Sequence, residues 1–136
     1  MSRGPVVVVH RDRMFLADAA AARLVTAIVE AQSSRGQADI VLTGGSMGSA
    51  LLLSVRQSPA KDAIDWKRLN IWWGDERFLP TGDPERNETQ SREVLLDAVP
   101  LDPARVHPMP ASDGPGGADV DAAAARYAEE LAEAAP

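Results

Sequence analysis

There is no cysteine among the 136 residues. That excludes a disulfide framework and a thiolate zinc site, and a reducing cytoplasm suits such a chain. Histidine is scarce too, with only His10 and His107, so imidazole chemistry has few places to reside. Basic residues are outnumbered, 14 Lys and Arg against 20 Asp and Glu, and the net charge is −6. Phosphate-backbone binders need a basic footprint, so no nucleic-acid partner is expected. No apolar run approaches the ~20 residues of a membrane helix, and no membrane partner is expected either. Residues 1–16 hold "VVVV" interrupted by His10 and charges, unlike a signal peptide. The length suits a single domain over 1–136.

What is present is an alternation of strand and helix patterns. Val6–Val9 predicts a short buried strand. From Arg11 to Ser34, Leu16, Ala20, Leu24 and Ile28 recur every four residues, and Gly36 is placed to end that helix in a left-handed conformation. A strand over about 38–43 precedes two glycines and a helix over about 46–56. "NIWW" closes a third strand at about 68–73. A loop from Gly74 to Arg86 leads to a helix opened by Asn87, which with Gln90 has the spacing of a capping box. A short strand is expected near 105–107, and a last helix over Ala118–Ala134 carries Val120, Ala124, Tyr127 and Leu131 on one face. Strands alternating with helices mean parallel strands and right-handed crossovers. The expected fold is α/β, an open, mostly parallel sheet with helices on both faces, Rossmann-like in a modified form and incomplete at its C-terminal end.

In an open parallel sheet, ligands bind beyond the carboxyl ends of the strands. Two loops are predicted to meet there, Thr43-Gly44-Gly45-Ser46 and Gly74-Asp75-Glu76-Arg77. Gly44 and Gly45 permit close backbone approach, Ser46 is a good N-cap, and the helix behind offers N–H groups and a positive dipole end to an anion. The spacing matches neither a P-loop nor a dinucleotide fingerprint, so a small monophosphate is favoured over ATP or NAD and no cofactor is expected. Arg77 is suited to fork onto a phosphate or carboxylate, and Asp75 to accept hydrogen bonds from a polyol. The bland alternatives are a tight strand-to-helix turn and a solvated charged turn in which Asp75 or Glu76 pairs with Arg77.

Taken together, "LTGGSMGSALL", "IWWGDERFLP" and "PERNETQSREVLLDAV…VHPMP" resemble the first half of the 6-phosphogluconolactonases. The resemblance runs from about Val6 to the end of the chain. It implies hydrolysis of 6-phosphogluconolactone to 6-phosphogluconate in the oxidative pentose phosphate pathway, without metal or nucleotide. It places Gly44, Gly45 and Ser46 on the sugar-phosphate loop and Asp75 and Arg77 on the pocket lining. Asn87 falls on the family's asparagine at the next helix start, where capping accounts for it. Related glucosamine-6-phosphate deaminases typically show Asp-Glu-Tyr where this chain has Arg77, which favours the lactonase. The deaminase and a non-catalytic phosphosugar-binding domain are the alternatives. The family's catalytic histidine lies in a Gly-x-Gly-x-Asp-Gly-His segment absent from this sequence, so the general base is left unassigned. His10, at the end of the first expected strand, and His107 are each taken as structural. The chain is expected to be an N-terminal portion whose incomplete sheet leaves self-association open.

Overall fold

The computed structural model describes residues 3–136. Helix α1 spans Arg13–Arg35, with Asp12 accepting the Phe15 N–H and Gly36 closing the helix at φ 78°. Strand β1 is Ala38–Leu42 and helix α2 is Gly45–Gln57. Strand β2 is Leu69–Trp73, helix α3 is Asn87–Val94 and helix α4 is Val120–Ala134. Short 3-10 turns, each opened by Pro or Trp, lead into β2 and into the segment before Val106.

β1 and β2 pair in parallel, Ala38 with Leu69 through Leu42 with Trp73. One face of this sheet meets α1 and α2. Ala38, Leu42, Leu69, Ile71 and Trp73 pack there with Ala21, Val25, Ile28, Leu52 and Val55. Leu69 and Ile71 have no exposed surface, and burying a side chain of this size contributes roughly 1.5–3 kcal/mol. The other face belongs to Trp72. His107 stacks on its ring at 3.9 Å, and Tyr127 from α4 meets it edge-on at 5.9 Å. Tyr127 also ties α4 to the sheet, because its hydroxyl accepts the Trp73 N–H at 3.0 Å and donates to the His107 carbonyl at 2.7 Å.

The α/β class and the parallel pairing are as the sequence indicates, with helices on both faces. Two expected strands are not. Val6–Val9 forms no strand and lies in solvent, with Val6 85% and Val9 87% exposed. A β-branched run becomes a strand only where a neighbour takes up its N–H and C=O groups, and among the described residues no strand pairs with it. His10 therefore ends no strand and leads into the Asp12 cap of α1. At 105–107 there is a single parallel bridge, Val106 to Ile71, reinforced by the His107 N–H on the Ile71 carbonyl. Pro108 follows at once, and proline has no N–H to extend a ladder.

Burial is the main reason the Tyr127 pKa is raised, so its phenol stays protonated and able to donate. Tyr127→Phe leaves the buried Trp73 N–H without its partner and is expected to cost about 1–3 kcal/mol in chemical denaturation. A raised acid contributes stability that is present below its unfolded value and lost as pH climbs. The wild-type chain should therefore lose stability as pH rises from Tyr127's ordinary 10.0 towards its raised value, and Tyr127→Phe should flatten that slope.

Candidate functional site

The in-register pairing ends both strands at the same level, and the Gly74 N–H adds one more hydrogen bond to the Leu42 carbonyl at 3.0 Å. The chain therefore leaves β1 as Thr43-Gly44-Gly45-Ser46 directly beside Gly74-Asp75-Glu76-Arg77 leaving β2. These are the two loops that the sequence marks out, and they are neighbours.

The glycine loop differs in one detail from expectation. Gly44, not Ser46, is the N-cap of α2, and the helix begins at Gly45. Gly44 offers no side-chain cap, so the first N–H groups of α2 are left for solvent or a bound anion. Gly45 sits at φ 86°, a left-handed conformation that suits glycine. Gly44 needs glycine for space, since a methyl group there would overlap the Asn87 side-chain amide. Ser46 is exposed on the first turn of α2.

Asn87 is buried and bridges the loops. Its Nδ2 donates to the Asp75 carbonyl at 3.1 Å and to the Asp75 carboxylate at 3.3 Å, while its Oδ1 faces Gly44. The expected capping box is not formed. Arg86 is the N-cap residue of α3 and its side chain does not cap; Gln90 instead donates to the Pro84 carbonyl. The first N–H groups of α3 are taken by Glu76, whose two carboxylate oxygens accept from Asn87 at 2.6 Å and from Glu88 at 2.9 Å. A cap from a distant carboxylate satisfies the orphan donors as a local one would, and it frees the Asn87 side chain to point at the loops.

The charged trio divides accordingly. Glu76 is inward, its side chain 3% exposed, with Arg86 3.9 Å away. Arg86 is itself 1% exposed and pairs with Glu88 at 2.8 Å, donating also to the Met109 and Arg77 carbonyls. Asp75 and Arg77 are outward and exposed. Among the described residues no carboxylate pairs with Arg77, so the solvated turn with an internal ion pair is not what forms. On the far side of Arg77 an apolar cavity of about 330 Å³ opens between Phe78, Met109 and α4. His107, stacked on Trp72 under Tyr127, is engaged in packing.

Gly44, Gly45, Ser46, Asp75 and Arg77 thus lie at one strand edge. Sequence reasoning missed Glu76, Arg86 and the bridging use of Asn87. The available signal was the second charged group, Arg86-Asn87-Glu88, complementary to Asp75-Glu76-Arg77. Gly44→Ala is expected to destabilise by about 1–3 kcal/mol through overpacking. Asn87→Ala should also destabilise, and the double variant should lose clearly less than the two combined, since removing the amide makes room for the methyl. Denaturation of all four proteins checks this.

The model of the glucosamine-6-phosphate isomerases/6-phosphogluconolactonase family matches residues 11–136. A 6-phosphogluconolactonase of Streptomyces coelicolor is 66% identical over 134 residues, 98% of this chain and 51% of that protein. One from Mycobacterium tuberculosis is 48% identical over 124 residues, 91% of this chain and 49% of that protein. The solved 6-phosphogluconolactonase of Trypanosoma brucei superposes with a TM-score of 0.72 at 27% identity, covering 97% of this chain and 50% of that one. The chain spans about half the length of the curated relatives it matches. With these matches extending over both loops and α3, the chain belongs to the glucosamine-6-phosphate isomerase/6-phosphogluconolactonase family.

Proposed function

We propose that this chain carries the sugar-phosphate-binding part of a cytoplasmic 6-phosphogluconolactonase, the enzyme that opens 6-phosphogluconolactone to 6-phosphogluconate. The observation that carries this reading is the meeting, at one strand edge, of the uncapped α2 N-terminus, Asp75 joined to it through Asn87, and Arg77, which pairs with no carboxylate among the described residues. The substrate phosphate rests on the N–H groups of Gly45 and Ser46, where the dipole of α2 favours an anion, with Arg77 as a charged donor. Asp75, held by Asn87, faces the sugar hydroxyls. No metal or nucleotide is required by these contacts.

Hydrolysis adds water to the lactone carbonyl, forms a tetrahedral oxyanion, and breaks the ring C–O bond to give a carboxylate and an alcohol. A base must take a proton from that water within hydrogen-bond reach. Asp75 is engaged by the Asn87 amide and His107 by Trp72. The residues gathered here therefore bind and orient; the base is assigned to none of them.

Calorimetry with 6-phosphogluconate, and separately with inorganic phosphate, tests the reading. Both should bind, and Arg77→Ala should weaken each roughly ten- to a hundred-fold, as loss of a charge-assisted hydrogen bond of about 1.5–3 kcal/mol predicts. No binding by the wild-type chain would remove the phosphate assignment. In a spectrophotometric lactone assay the 136-residue chain is expected to show no turnover above the uncatalysed rate. Turnover matching that of the Streptomyces coelicolor relative would mean that a base lies among these residues after all.

A further inference from the structure

Most helices are capped by a residue next to them in sequence, usually Ser, Thr, Asp or Asn. α3 is not. Its cap carboxylate comes from Glu76, eleven positions upstream at the far end of the loop that leads into the helix. Both Glu76 oxygens are engaged. Oε1 accepts the N–H groups of Arg77 at 2.8 Å and Asn87 at 2.6 Å, and Oε2 accepts that of Glu88 at 2.9 Å with Arg86 at 3.9 Å. A carboxylate buried to 3% exposure is tolerated only with such compensation. Its carboxylate is turned inward and engaged by three backbone N–H groups, which makes it a structural group. What it does is join the loop after β2 to the first residue of α3, and that residue is Asn87.

We propose that Glu76 is the positioning residue of this site: by capping α3 from the β2 loop it sets Asn87, and Asn87 sets the spacing between the Gly44 turn and Asp75. The ligand-binding consequence rests on the sugar-phosphate reading above; the positioning itself does not. Rotation or retreat of the α3 start moves the Asn87 amide away from Asp75 and from Gly44 together, because one side chain serves both. Gln at position 76 keeps the size of Glu but places an NH2 donor where a backbone N–H now donates, and it removes the charge that faces Arg86.

A comparator separates positioning from general stability. Glu88 pairs with the same Arg86 and with Arg92, yet among the described residues its side chain accepts no backbone N–H of α3. Glu76→Gln and Glu88→Gln should both lower the melting temperature. Only Glu76→Gln should weaken 6-phosphogluconate, by roughly ten-fold or more, since small misplacement of binding groups is costly. In NMR spectra only Glu76→Gln should shift the Asn87 side-chain NH2 resonances and speed their exchange with water, and Glu76→Asp should recover part of both effects. Equal weakening by the two Gln variants, or a Glu76→Gln protein with unchanged affinity and unchanged Asn87 resonances, would overturn the proposal. If the wild-type chain binds no 6-phosphogluconate, the sugar-phosphate reading fails. The Asn87 resonances then decide the positioning claim alone: shifted only in Glu76→Gln they uphold it, and unshifted they end it.

Discussion

The hydrogen bond from the Gly74 N–H to the Leu42 carbonyl carries the β1–β2 pairing one step beyond the strand ends. Because the strands are parallel and in register, the two chains then leave the sheet side by side and in the same direction. A slip of one residue would turn every side chain of β2 to the opposite face, exposing Ile71 and Trp73. The buried face of the sheet therefore locks the register, and the register places the loops. The paired tryptophans fit this arrangement, with Trp73 in the α1–α2 core and Trp72 under His107 and Tyr127.

Adjacency alone does not make a site, since two loops of glycine and charged residues are mobile unless held. Here a buried polar network holds them. Glu76, Arg86 and Glu88 are taken out of water, which is costly for isolated charges and tolerable only where the carboxylates meet positive charge and N–H donors and the guanidinium meets carboxylate and carbonyl acceptors. Backbone N–H groups from both the β2 loop and α3 converge on Glu76, and Arg86 reaches the Arg77 and Met109 carbonyls. Order at the edge thus rests on Glu76, the charge of the trio that turns inward. The outward pair, Asp75 and Arg77, is left free of one another and available.

The fold class was legible because it depends on local signals, namely hydrophobic period, glycine stops and the alternation of elements. Gly36 illustrates this, closing α1 in the left-handed conformation that its position suggests. The edge location of Gly44, Gly45, Ser46, Asp75 and Arg77 was legible for the same reason, since topology follows from alternation. The errors are non-local. Val6–Val9 has strand composition, but strand formation depends on a partner that composition does not reveal. Asn87 and Gln90 have capping-box spacing, yet a carboxylate from the far end of the preceding loop occupies the N–H groups that an adjacent cap would take. Glu76 was invisible for the complementary reason: in a charged trio after a strand, nothing local distinguishes the member that turns inward.

The central claim is that the turn after β1 and the trio after β2 border one anion-binding site. Backbone amide shifts during titration with 6-phosphogluconate address it most directly. The account predicts saturable shifts at Gly44, Gly45 and Ser46 and at Asp75 and Arg77 with a single dissociation constant. Shifts confined to one loop, or two loops titrating with unrelated constants, would contradict it.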